Sequence, residues 1–217
     1  MWRAATLLRE RAGCRRGATI KLLKRIPAAA GLGGASSDAA ATLVAANAAW
    51  QLGWTRERLA ELAAELGSDV PFFLTRGAAV CHGRGECIEP LAPLRLHLVI
   101  VRPPIGLSTP RVYKECQPTA APRGAGLLVT ALTRGDPTGV ARQLGNDLAR
   151  AAAKLTSWIQ RLQEEFERQG VLGHQMSGSG SSYFGLCRSA RHSRRIAARL
   201  RSRRVGAVFC TTTAAAN

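Results

Sequence analysis

Gly31, Gly33, Gly34, Ser36 and Ser37 crowd one short stretch, Pro27–Thr42 (PAAAGLGGASSDAAAT), just ahead of an alanine-rich run that reads as helix. A chain that turns through glycines into a helix start gathers several N–H groups at one place, and the helix dipole adds positive potential there. Such a place suits a polyphosphate. The segment before it, Thr19–Ile26, has the β-branched and apolar content of a strand, so strand, loop and helix together predict a phosphate cradle. No lysine follows Gly34, which excludes a Walker A loop, and Ser36 stands where a dinucleotide fingerprint needs a third glycine. The same glycines would also serve a turn that only lets a helix pack closely on a strand.

Two further segments carry chemistry. In Gly67-Ser68-Asp69-Val70-Pro71-Phe72-Phe73-Leu74 one carboxylate sits between a helix end and an apolar run. Asp69 there is a candidate base for an attacking hydroxyl, shielded by Val70, Phe72 and Phe73; capping the turn that begins at Val70-Pro71 is its plainer role. Asp38 is the competing carboxylate, expected in the first turn of the loop's helix, where it would serve the dipole. Gln175–Ser182 (QMSGSGSS) is a second small-residue loop, either a tight hairpin or a wall beside the nucleotide.

In this order the three motifs resemble the GHMP kinase superfamily, and within it the 4-diphosphocytidyl-2-C-methyl-D-erythritol kinases of the non-mevalonate isoprenoid pathway. The resemblance runs from about Arg3 to about Thr212. It implies transfer of the ATP γ-phosphate to the 2-hydroxyl of a cytidine diphosphate-linked methylerythritol, with Mg2+ bridging the phosphate oxygens. It assigns Asp69 to catalysis and Pro27, Ala28, Ala29, Ala30, Gly31, Leu32, Gly33, Gly34, Ala35, Ser36 and Ser37 to ATP. Thr109, Tyr113 and Lys114 fall to the substrate: Tyr113 to stack on a base and Lys114 to reach an oxygen. Taken alone, Tyr113 serves equally as a core aromatic and Lys114 as a surface cation. Gly145-Asn146-Asp147-Leu148 also matches a family motif, read here as a helix feature outside catalysis. No metal ligand is assigned.

The resemblance implies an α+β, two-domain GHMP fold. A ribosomal protein S5 domain 2-like half is expected over 1–92, truncated at its start, and a ferredoxin-like half over 93–217. Family members open with a Lys-x-Asn-Leu strand and a Gly-Tyr-His segment, and neither pattern occurs in the 217 residues. Three explanations compete: a start placed too far downstream, a shortened chain, or a genuine remnant. The expectation is therefore weak ATP binding and little kinase activity for the chain as given. Rival readings are a homoserine or mevalonate type GHMP kinase, an inactive remnant, and an arginine-rich nucleic-acid-binding module.

Composition narrows these. The net charge is +17 and lysine stands only at 21, 24, 114 and 154, so arginine carries the excess. The densest run, Arg188–Arg204, places Ile196, Ala197 and Leu200 at helical spacing, which leaves its arginines on the outer face. No aromatic interleaves them to stack bases, so a solvated face is favoured over a nucleic-acid interface. No apolar run approaches the roughly 20 residues of a membrane span. The six cysteines lack a C-x-x-C pair, and Cys81, His82 and Cys87 match no common zinc spacing. The expected setting is cytoplasmic, with a small-molecule substrate, no membrane, no nucleic acid, and a homodimer as the assembly left open.

The elements that must position these residues read as follows. Helices are expected at 2–13, 37–50, 55–66 (capped by Thr55), 110–116, 125–134, 137–150, 155–169 and 190–203. Strands are expected at 18–26, 72–80, 85–90, 94–101, 171–176, 182–187 and 205–212. Pro90–Pro93 reads as a seam and Ala120–Gly126 as a flexible stretch.

Overall fold

A computed structural model describes residues 1–75, 77–92, 94–117 and 124–213. Pro93 of the expected seam and residues 120–123 of the expected flexible stretch lie outside them. The chain divides into two units, Met1–Ile26 with Gly33–Leu91, and Pro27–Leu32 with Ala92–Asn217. The first part of the glycine loop thus groups with residues far along the chain.

The first unit is helical, with one hairpin. Helix α1 (Trp2–Arg11) buries Ala4 and Leu8, one turn apart on one face. Helix α2 (Gly34–Ala49) opens three residues earlier than expected and buries Ala40, Leu43 and Ala46, with Trp50 just beyond its end. Helix α3 (Arg56–Leu66) adds Leu59, Leu62 and Ala63 to the same core, together with Val70 and Leu74. Thr55 caps α3, its hydroxyl accepting from the Arg58 N–H at 3.3 Å. Thr55→Ala is expected to cost about 1 kcal/mol, read as a lowered unfolding midpoint in urea. Strands β1 (Ala78–His82) and β2 (Cys87–Leu91) pair antiparallel, with Ala78 opposite Leu91.

Two expected strands need correction here. Residues 18–26 are irregular and exposed, because a strand requires a neighbour for its N–H and C=O groups and none pairs with them among the described residues. A Lys24–Asp38 ion pair ties them to α2 instead, and just ahead of them the Gly17 carbonyl accepts from the indole N–H of Trp50, the C-cap of α2, at 3.2 Å. Phe72-Phe73-Leu74 belong to a single 3-10 turn, Pro71–Leu74, with strand beginning only at Ala78. Pro71 has the φ of a first helical position and no N–H for a ladder, which outweighs the apolar content that favours a strand.

The second unit is built on four antiparallel strands in the order β4-β5-β3-β6: β3 (His97–Arg102), β4 (Gly173–Met176), β5 (Tyr183–Cys187) and β6 (Ala207–Thr212). The central strand β3 sets Val99 opposite Gly185 on one side and Cys210 on the other. Its alternation works as period 2 demands. Val99 and Val101 enter the main core with Ile159, Leu162, Phe166, Ile196 and Leu200, while Leu96 and Leu98 pack with Ala131 and Val140 in a second cluster. Phe166 and Leu162 are wholly buried, each contributing about 1.5–3 kcal/mol. Helices α4 (Thr109–Glu115), α5 (Gly126–Thr133), α6 (Pro137–Arg142), α7 (Leu148–Leu155) and α8 (Trp158–Glu167) connect β3 to β4, and α9 (Ala190–Ser202) connects β5 to β6. This is the ferredoxin-like topology.

The helix expected over 137–150 is two helices. Residues 143–147 break it, and the Asn146 side-chain oxygen accepts the Leu148 N–H at 2.9 Å at the start of α7. Asparagine favours that local bond over a helix interior.

Candidate active site

The glycine loop reverses backbone hand at alternate positions, with φ of 53° at Ala29, 67° at Gly31 and 65° at Gly33. Gly33 is the N-cap of α2, and a methyl group there would lie 2.4 Å from the Phe73 ring. Having no side chain, it gives α2 no side-chain cap. The Ser37 N–H is the first to be taken, by the Gly33 carbonyl at 2.9 Å, and the Ser37 hydroxyl donates to the Gly34 carbonyl at 3.0 Å. From Gly31 through Ser36 no backbone N–H has an acceptor among the described residues, and neither does the Ser36 hydroxyl. Unpaired N–H groups leading into a 16-residue helix suit an anion by charge and by geometry.

The loop's carbonyls go elsewhere, all within the second unit. Ala29 accepts from the Leu107 N–H at 3.2 Å, Ala30 from the Ser182 N–H at 3.1 Å, and Gly31 from the Ser177 hydroxyl at 2.9 Å. Engaging the carbonyls leaves the loop's donors for a ligand. A Cβ on Gly31 would fall 2.2 Å from the Ser177 carbonyl oxygen, so the two small-residue loops interlock with no space between them. Pro27 and Leu32 are half-buried, Ala28 is exposed, and Ala30 is buried. Gly34, Ala35, Ser36 and Ser37 form the first turn of α2.

Residues 176–182 are therefore the structural partner of the glycine loop, beyond being a hairpin turn. Asn146 donates from its side-chain nitrogen to the carbonyls of Met176 at 2.9 Å and Gly178 at 2.8 Å. The expected helix feature is present, since Asn146 accepts the Leu148 N–H at the start of α7, but the clamp on residues 176–178 is a second role that the motif did not announce. The signal available was a glycine and an asparagine inside an expected helix interior, where both are poor residues.

Helix α4 carries the expected substrate residues. Ser108 is its N-cap, although its side chain makes no capping bond, and Val112 anchors the helix in the core. Thr109 and Ser179 hydroxyls meet at 2.8 Å, joining α4 to the serine loop. Tyr113 is 61% exposed, which removes the core-aromatic alternative and leaves its ring face available for stacking. Lys114 is also exposed.

Asp69 departs from expectation. It follows the glycine that ends α3, yet it is exposed, so the apolar residues after it do not shield it. Val70 and Leu74 turn into the core of the first unit instead. Asp69 forms no ion pair among the described residues, and its nearest characterised surroundings are the β1–β2 hairpin. A Cβ at Gly85 would stand 3.6 Å from its carboxylate, and burial first, then the Asp69 charge, raises the Cys81 thiol above its usual range. Asp38 is corrected too: it lies a turn inside α2, and its carboxylate is taken by Lys24.

Comparison with known proteins shows the family. Models of the GHMP kinases N terminal domain and the GHMP kinases C terminal match residues 1–77 and 128–205. The 4-diphosphocytidyl-2-C-methyl-D-erythritol kinase of Pelotomaculum thermopropionicum is 45% identical over 204 residues, covering 93% of this chain and 71% of the relative. The chain belongs to this family of GHMP kinases. The enzyme of that name from Shouchella clausii is 43% identical over 187 residues, 85% of this chain and 63% of its own length. A crystal structure of a 4-(cytidine 5'-diphospho)-2C-methyl-D-erythritol kinase superposes with a TM-score of 0.83 at 36% identity, covering 99% of this chain and 78% of that one. The chain thus spans 63% to 71% of the length of these two curated kinases. None of the helices described is long and apolar enough to cross a membrane.

Proposed function

We propose that this GHMP kinase chain serves ATP-dependent phosphorylation of the 2-hydroxyl of 4-diphosphocytidyl-2-C-methyl-D-erythritol, releasing ADP. The observation that carries the reading is the run of unpaired N–H groups from Gly31 to Ser36. Phosphoryl transfer asks a protein mainly to position its reactants and to stabilise charge on the phosphoryl oxygens, and this run supplies donors for both. Residues 27–37 bind the triphosphate, with the Ser36 hydroxyl as a further donor. Asp69 accepts the proton of the attacking hydroxyl. The exposed Tyr113 and Lys114 take the cytidine end, next to Thr109.

A hard cation such as Mg2+, when brought in with the nucleotide, would supply neutralisation of phosphate charge. The nearest carboxylate to the cradle in sequence, Asp38, is engaged by Lys24, so we assign the ion no ligand from this chain. We take residues 1–92 as the ATP-binding N-terminal part and 93–217 as the C-terminal part, with Pro27–Leu32 of the loop grouping with the latter. Six free cysteines suit a reducing compartment, and we place the reaction in the cytoplasm.

The test is a substrate panel read by ADP release and by calorimetry. The cytidyl substrate is expected to exceed homoserine and mevalonate by at least about 100-fold in kcat/KM, and by a similar factor in affinity where turnover is slow. Such a ratio corresponds to roughly 2.7 kcal/mol of discrimination. Equal use of the three, or salt-sensitive DNA binding indifferent to ATP, would overturn the proposal.

A further inference from the structure

We infer that Asn146 is a positioning residue for the nucleotide site, acting through the Met176–Ser182 loop. The inference rests on the kinase reading for its purpose and on hydrogen-bond geometry for its substance. The half-buried Asn146 amide uses every part of itself. Its nitrogen donates to Met176 at 2.9 Å and Gly178 at 2.8 Å, and its oxygen accepts from the Leu148 N–H at 2.9 Å. A side chain with two donors and an acceptor satisfied in opposite directions is held in one orientation.

The loop it grips is small-residue backbone that would otherwise be free to move. Within it, the Ser177 N–H donates to the Ser182 carbonyl at 2.9 Å and the Gly180 N–H to the Ser177 carbonyl at 2.9 Å. The Ser181 hydroxyl donates to the Ile105 carbonyl. From this frame the Ser177 hydroxyl and the Ser182 N–H reach the Gly31 and Ala30 carbonyls. Asn146 therefore stands two links from the glycine loop, and each link is a hydrogen bond. Loosening it frees the carbonyls of Ala30 and Gly31 to rotate, and with them the N–H groups that a phosphate would meet. Small misplacements of a bound reactant are costly, on the order of 100-fold in rate per ångström.

Two substitutions separate this role from simple capping of α7. Asn146→Asp keeps the oxygen that takes the Leu148 N–H but sets a carboxylate against two carbonyl oxygens. Asn146→Ala removes the cap and the clamp without repulsion. If Asn146 positions the loop, Asn146→Asp is the more damaging change; if it only caps α7, Asn146→Ala is.

Hydrogen exchange is the primary readout, since it needs no turnover. In Asn146→Asp, exchange at Ser177, Gly180 and Ser182 is expected to quicken at least tenfold, with the β3, β5 and β6 ladders as protected as before. Affinity for Mg-ATP is expected to fall about tenfold, with kcat reduced more than the KM for the cytidyl substrate rises. Unchanged loop exchange in Asn146→Asp, or a larger effect in Asn146→Ala confined to α7, overturns the inference. Turnover of the unsubstituted chain, measured alongside, judges the kinase reading separately: its absence on every substrate sinks that reading while exchange still decides the clamp.

Discussion

Gly31→Ala is expected to destabilise the second unit by about 2–5 kcal/mol and to reduce Mg-ATP binding at least tenfold. Two costs add. Holding alanine at a left-handed φ costs roughly 1–2 kcal/mol, and forcing a methyl into occupied space costs about 1–3 kcal/mol more. The space is occupied by backbone: the Ser177 and Gly180 carbonyl oxygens would lie 2.2 and 2.7 Å from the new carbon. Backbone inside a hydrogen-bonded loop cannot swing aside as a flexible side chain can. Gly170→Ala is the control within the same unit, since Gly170 has φ 63° and nothing within 4 Å of a Cβ. It should show only the conformational cost, with nucleotide affinity intact. Urea unfolding and ATP titration of both variants check the difference; equal losses would show that the interlock of the two loops contributes nothing.

That interlock also explains why some of the site could be read from sequence and some could not. The donors were legible because they are a local property: glycines followed by a helix expose N–H groups wherever the chain lies. The Thr55 cap and the inward face of α9, with Ile196, Ala197 and Leu200 wholly buried, were legible for the same reason. The destination of the carbonyls was not. Nothing near Ala30 and Gly31 in sequence specifies that Ser182 and Ser177 will take them, about 150 residues further on. Residues 18–26 fail in the mirror-image way. Their composition suits a strand, but strand is a relation between two segments, and no second segment pairs with them among the described residues. Asn146 lay in view, inside a motif, but its partners are carbonyls 30 and 32 residues away, which no local propensity encodes.

The serine loop gathers these long-range ties at one place. It meets the glycine loop through Ser177 and Ser182, and it meets α4 through the Ser179–Thr109 hydroxyl pair, all within the second unit. Ser179 is buried, so its hydroxyl gains little from water and depends on Thr109. The segment proposed to hold phosphate and the helix proposed to hold the base are thus hydrogen-bonded to the same few residues.

Asp69→Asn is expected to lower kcat by 10²- to 10⁴-fold, the usual span for removing a general base, while both KM values stay within about threefold. Its exposure sets the terms of this prediction. The carboxylate faces water, so its catalytic use requires the substrate to cover it and displace that water. The Asp69 charge already acts on one neighbour, adding to desolvation in raising the thiol of the exposed Cys81. Asp38 is the discriminating control. It is closer to the cradle in sequence, but its carboxylate is already paired with Lys24 and is not free to meet a substrate hydroxyl. Asp38→Asn should therefore leave kcat within about tenfold and act chiefly on the stability of the first unit, through loss of a half-buried pair. Single-turnover phosphoryl transfer, with binding measured independently, separates the two. Should Asp69→Asn retain full transfer, or Asp38→Asn match its loss, the proton goes to another group and the carboxylate beside the β1–β2 hairpin is only a solvated surface acid.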